Sequence, residues 1–150
     1  MQPLTFALFF GNRGFFPESV IAKARDEGKI PAGKHVFHAN TPSYVGSHVT
    51  GFSSMVRAMV EHFAQPTAEK TKTVNLIPGW IEPSDVRELK RLARQMGLES
   101  ICFPDTSGVL DSPQTGKHEF YPKGGVKVDD LARTSASQAT LALGPFASEA

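Results

Sequence analysis

The stretch from Val74 to Phe103 constrains the fold more than any other. Val74-Asn75-Leu76-Ile77 is a short apolar run that stops at Pro78-Gly79-Trp80. Val86, Leu89, Ala93 and Met96 then recur at helical spacing and predict the inner face of a helix. Ser84 is its expected cap, Asp85 suits its positive N-terminal end, and Gly97 suits its stop. Arg87, Lys90, Arg91 and Arg94 are expected on a solvated face. A second apolar run, Leu98 to Phe103, completes a strand–helix–strand unit. Such a unit is expected to join two parallel strands by a right-handed crossover.

Upstream, Phe52, Met55, Val56, Met59, Val60 and Phe63 repeat at helical spacing, which predicts a helix over 52–65 with a Met and Phe stripe facing the core. Pro66 to Thr73 reads as a polar linker, in which Lys70 and Lys72 are solvated. Before the helix, Pro17 to Gly28 suits another helix with Val20, Ile21 and Ala24 on its apolar face, and His35 to Ala39 suits a strand. A turn at Gly11-Asn12-Arg13-Gly14 between two Phe-rich patches suits a hairpin. Downstream, Asp105 to Gly125 is long, irregular and rich in Gly, Pro, Ser and Thr, as functional or partner-packing loops are. Val128 to Arg133 predicts a short helix, and Ala139 to Leu143 a strand. A sheet ending there is expected to leave an edge and an apolar face uncovered. The alternation predicts an α/β fold: an incomplete Rossmann-like parallel sheet with flanking helices. Neither a G-x-G-x-x-G fingerprint nor a Walker loop is present, so the usual nucleotide signatures are missing.

The candidate site is the loop His38 to Gly51, which gathers Asn40, Thr41, Ser43, Ser47, His48 and Thr50, with Gly46 and Gly51 as flexible points. Pro42 fixes its own φ and biases Thr41 towards an extended conformation, so Ser43 sits at a defined turn. Two readings stand side by side. Hydroxyls and backbone N–H groups beyond a strand's carboxyl end suit an anion, a phosphate or a metal cluster. Ser and Thr also crowd loops and helix caps for local hydrogen-bonding reasons alone.

Composition narrows the function classes. The chain has 150 residues, 40% hydrophobic and 21% charged, which suits a folded core. Its net charge of +1 points to neither nucleic acid nor a membrane surface. The N-terminal apolar run, Leu4 to Phe10, is too short for a membrane span and lacks a basic lead. One cysteine, Cys102, excludes a disulfide framework and fits a reducing, cytoplasmic setting. It lies in the apolar run Ser100 to Phe103 and is expected as a buried structural thiol.

Thr41-Pro42-Ser43-Tyr44-Val45-Gly46-Ser47-His48-Val49-Thr50-Gly51 resembles the β subunit of nitrogenase component 1. The likeness runs from about Val20 to about Ala147 and takes in Val74 to Trp80 and Leu110-Asp111-Ser112-Pro113. Phe103 to Leu110, with Tyr121 to Gly125, looks closest to the vanadium–iron type. The resemblance implies Rossmann-like α/β domains: 1–18 unmatched, 19–66 the end of a first domain, and 74–150 the start of a second. It implies a nitrogenase α subunit and the iron protein as partners. It also implies an iron–sulfur P-cluster at the α/β interface, through which electrons pass for reduction of dinitrogen to ammonia.

On this likeness Ser43 is the P-cluster ligand position, a hard oxygen donor suited to oxidised iron. Tyr44, Gly46, Ser47 and His48 are its neighbours; His48 is expected to serve as a structural hydrogen-bonding histidine. The family's cluster cysteines belong to segments that precede this region, and this chain carries none there. The chain is therefore expected to be an internal piece, truncated or frame-shifted, that holds no cluster and reduces no dinitrogen alone, because thiolates anchor such clusters. Two alternatives from other classes are a non-catalytic scaffold subunit for cofactor assembly and a free-standing α/β anion-binding module.

Overall fold

The computed structural model describes residues 41, 46–113, 115–117, 124–144 and 147. The expected hairpin, first helix and first strand, all before residue 41, lie outside the described residues. In chain order the elements are α1 (His48–Phe63), β1 (Thr73–Ile77), α2 (Pro83–Gln95), β2 (Glu99–Cys102), α3 (Val128–Ala132), a 3-10 turn (Thr134–Ala136) and β3 (Ala139–Ala142). The three strands form one parallel sheet in the order β2-β1-β3. Val74 pairs with Ser100 on one side and with Ala139 on the other. The expected parallel unit over 74–103 is therefore present. The chain crosses from β2 over β1 to place β3 on the far side, as in doubly wound α/β sheets.

Alternation along β1 sends neighbouring residues to opposite faces. Leu76 packs with Val86, Ala93 and Cys102 under α2, joined by Val74 and Leu98. Ile77 packs with Val56, Phe103, Leu131 and Ala147 on the other face, under α1 and α3. Phe52, Met59, Val60 and Phe63 join that second cluster, so the predicted stripe, apart from Met55, packs against the core. Asn75 shares this face, and its polarity is satisfied locally. Its Nδ2 donates to the Thr134 carbonyl at 2.9 Å and to Thr140 Oγ1 at 3.0 Å, while its Oδ1 accepts from Ser137 Oγ at 2.7 Å. One amide thus ties the central strand to β3 and to the connection before it.

Three expectations need correction. First, Ser84 is not the cap of α2. Pro83 occupies the first helical turn, where its missing N–H costs nothing, and Glu82 precedes it without a side-chain cap. Second, Met96 is not on the inner face; it is 75% exposed. The helix ends at Gln95, and Gly97, at φ +73°, turns the chain back. Leu98 N–H donates to the Ala93 carbonyl and Gly97 N–H to the Arg94 carbonyl, both at 3.0 Å. This Schellman closure brings Leu98, rather than Met96, against Ala93. Third, Lys70 is not merely solvated. Its Nζ donates to the carbonyls of Ser135 and Ser137, at 2.8 and 3.3 Å, where the 3-10 turn ends.

Gly97→Ala is expected to destabilise the chain by about 1–2 kcal/mol, because a Cβ in the left-handed region is strained at that cost. Nothing lies within 4 Å of the added Cβ, so the loss is backbone strain and not a clash. A lowered urea midpoint with an unchanged slope is the expected reading.

β3 is one of the two edge strands among the described residues, and all four of its residues are exposed. Leu141 and Leu143 are 50% and 38% exposed. No described helix is long and apolar enough to cross a membrane.

Candidate functional site

The sheet's carboxyl edge gathers the loop after β1 (78–82), the loop after β2 (103–113) and residues 143, 144 and 147 after β3. The start of α1 lies beside them, because Trp80 touches it. Ring centroids of Trp80 and His48 are 5.4 Å apart at 74°, and those of Trp80 and Phe52 are 4.9 Å apart at 88°. Both are edge-on arrangements of the kind aromatic rings prefer.

The described part of the candidate loop is its exit. His48, Val49, Thr50 and Gly51 belong to α1 and not to an extended loop, which corrects the loop's expected end at Gly51. Ser47 is the N-cap: its hydroxyl accepts from Val49 N–H at 3.2 Å. Thr50 Oγ1 accepts from Ser47 N–H at 2.9 Å and donates to the Ser47 carbonyl at 2.7 Å. These bonds form a capping box, with Thr in place of the usual Glu. Gly46 has φ +75°, and a Cβ there would sit 2.3 Å from Thr50 Oγ1. Only glycine fits both demands. For Ser47 and Thr50 the local hydrogen-bonding reading therefore holds. His48 is exposed and set edge-on to Trp80. Ser43 and Tyr44 lie outside the described residues.

At the other end of this edge, a charged cluster overturns part of the sequence reading. Lys90 does not lie on a solvated face. Its Nζ donates to Asp105 Oδ2 at 2.6 Å and to Ser107 Oγ at 3.0 Å. Ser107 in turn donates to Asp105 Oδ1, through Oγ at 2.5 Å and through its N–H at 3.0 Å. Position 90 is four residues after Val86 and three before Ala93, so it borders the buried stripe. Helical side chains lean towards the helix N-terminus. In α2 that direction leads to the sheet's carboxyl edge, where Asp105 waits. Arg87, one turn earlier, pairs with Asp111. Arg91 pairs with Glu88 on the exposed side, as expected of a solvated face.

Burial pushes the Asp105 carboxyl up, but the bonds from Lys90 and Ser107 outweigh it and hold it below its ordinary value. The hydrogen bond from Arg87, helped by Gly108 N–H, lowers Asp111 as well. Burial pushes the Cys102 thiol up to about 11, with the Asp105 charge adding to it. Cys102 is thus the buried structural thiol that the sequence predicted.

The crevice between β1 and β3, where doubly wound sheets bind ligands, is closed by backbone. Leu143 N–H donates to the Ile77 carbonyl at 2.9 Å, and a Cβ on Gly79 would meet the Leu143 carbonyl at 2.9 Å. A hollow of about 200 Å3 lies over the sheet instead, lined by Val60, Ala64, Ile101 and Phe103 with Asn75 and Thr140. Its Asn75 amide already spends both Nδ2 protons and accepts one bond at Oδ1. Among the described residues, no group of three or more His, Cys, Asp or Glu side chains is placed to hold a metal ion. The described donors do not fit an iron–sulfur ligand set: Ser47 and Thr50 serve the helix cap, and the Cys102 thiol is held protonated in the α2 core.

Residues 17–150 match the family described as nitrogenase component 1 type oxidoreductase. The chain belongs to the nitrogenase component 1 family. It is 52% identical over 129 residues to the nitrogenase molybdenum-iron protein beta chain of Clostridium pasteurianum, covering 86% of this chain and 28% of that one. It is 34% identical to the corresponding protein of Methanococcus maripaludis, over 91% of this chain and 31% of the other. The solved structure "Nitrogenase Cp1 at pH 6.5" matches with a TM-score of 0.76 at 51% identity, over 87% of this chain and 28% of that chain. The chain thus spans less than a third of the length of these component 1 relatives. The Rossmann-like sheet expected from the sequence is the fold it shares with that solved structure. Trp80 and the Lys90–Asp105–Ser107 cluster were not singled out from the sequence. Trp80, Asp105 and Ser107 carried no periodic pattern, only a place just beyond a strand's carboxyl end, and Lys90 carried no signal at all.

Proposed function

We propose that this chain acts as part of a nitrogenase component 1 β chain. In that setting it pairs with an α subunit and receives electrons that originate from the iron protein. Electrons would pass through the P-cluster at the α/β interface towards dinitrogen, and Ser43 would be this chain's iron ligand. The single observation that carries the reading is the 52% identity over 86% of the chain to a protein named as a beta chain. On subtype we propose molybdenum–iron, because both relatives above carry that name. The vanadium–iron likeness of residues 103–125 is the alternative, and metal analysis of the purified complex separates the two. The anion-module reading loses two of its hydroxyls, since Ser47 and Thr50 cap α1.

The test is anaerobic purification of the chain, alone and mixed with a component 1 α subunit. Association with the α subunit is expected, with no stoichiometric iron on the isolated chain. Failure to associate would remove the β-chain reading. A stoichiometric iron–sulfur cluster on the isolated chain would contradict the dependence on the complex.

A further inference from the structure

We infer that Trp80 is a positioning residue that clamps the exit of the Thr-Pro-Ser loop, Gly46 to His48, onto the carboxyl end of the central strand. The argument starts in the sheet. β1 ends at Ile77, and Pro78 behind it is fully buried. Gly79, at φ +72°, passes so close to the Leu143 carbonyl that a Cβ would sit 2.9 Å from it. This double constraint fixes where Trp80 leaves the sheet. Its ring meets His48 and Phe52, four residues apart and so one above the other on the first two turns of α1. Two edge-on contacts from one ring fix both the distance and the rotation of those turns.

The first of them also carries the capping box of Ser47 and Thr50 and the glycine-only position 46. The clamp is therefore continuous from β1 through Trp80 and the cap to the loop's last residues. Burial does not explain Trp80, which is 59% exposed while ordinary core aromatics are covered. Its significance for electron transfer rests on the β-chain reading above. The clamp itself is a property of this chain and is tested on it alone, so either can fail without the other.

The test is hydrogen exchange at the amides of Ser47, Val49 and Gly51, which are bonded within the cap and first turn. Trp80→Leu keeps apolar bulk and removes the aromatic edges. Exchange at those three amides should rise on the order of tenfold, the ratio that one edge-on pair of ordinary strength supports. The amides of Leu76 and Cys102 should not change. Trp80→Phe should restore most of the protection, because it keeps a ring for the same edges. Unchanged exchange in Trp80→Leu, or a Phe variant no better than Leu, would overturn the proposal. Should Trp80→Leu loosen β1 as well, His48→Ala decides through fluorescence. Trp80 is the sole tryptophan, so its emission should shift to the red and its anisotropy should fall; unchanged emission and anisotropy would overturn the clamp.

Discussion

Leu76→Ala is expected to lower stability by about 2–5 kcal/mol, the range for truncating a fully packed leucine and leaving a cavity. Leu76 is 4% exposed and sits on the central strand, between Cys102 on β2 and Leu141 on β3. It packs with Val86 and Ala93 of α2, and both of its neighbouring strands are hydrogen-bonded to its own. Little can move in to fill the space. A domain of this size is commonly stable by only about 5–15 kcal/mol, so the loss is a large share of the total. Urea unfolding followed by far-UV circular dichroism is the check, with a fall in midpoint expected. Leu141→Ala provides the contrast. That side chain faces the same side of the sheet but is 50% exposed, so its loss should be well under half as large. Equal losses at the two positions would mean that the α2 face is not packed as described.

Asp105→Asn is the second large effect, expected at about 2–4 kcal/mol, somewhat below the range for breaking a fully buried ion pair. The Asp105 side chain is 6% exposed and that of Lys90 is 29% exposed, so solvent still reaches one partner and reduces the cost. The substitution leaves the Lys90 ammonium without its counter-charge and replaces a carboxylate oxygen that Ser107 binds. The pH dependence follows from the direction of the shift. Because the folded carboxyl titrates below its ordinary value, its contribution is present above the unfolded pKa of about 3.9. That contribution is lost as pH falls through the folded value. The gap between the wild type and Asp105→Asn should therefore be full near neutral pH and close as the solution is acidified below about pH 4. Asp111 and Asp130 are lowered in the same direction, by Arg87 and Arg133, so the whole chain should lose stability in acid. Equilibrium unfolding at several pH values reads this directly. A gap that stays constant into acid would place the stabilisation somewhere other than the ionised pair.

Much of the fold was legible from periodicity alone. Leu76 and Ile77 in one short run, the helical spacing of Val86 and Ala93, and the stripe from Phe52 to Phe63 all report burial. Burial is a local pattern, because side-chain direction repeats with a fixed period in a helix or strand. Gly97 was legible as a stop because only glycine takes its φ without strain. The family, too, was carried by residues in order, since Thr41 to Gly51 needs no coordinates to be compared.

What periodicity cannot supply is the meeting of side chains distant in sequence. Lys90 looked solvated because its neighbours Arg87, Arg91 and Arg94 are cations, yet Asp105 and Ser107 reach it from beyond β2. Met96 and Leu98 exchanged roles because a Schellman closure, and not the helical period, decides which of them faces Ala93. Asn75 read as one member of an apolar run, and only the 3-10 turn and β3 explain its polarity. Trp80 carried no pattern at all until the sheet set it against His48 and Phe52. The sequence by itself determined the family and, among the described residues, the order of the elements and most of their inward faces, because those depend on residues close along the chain. The tertiary structure alone decided the partners at the sheet's carboxyl edge, because parallel strands joined by a helix bring together loops that are tens of residues apart.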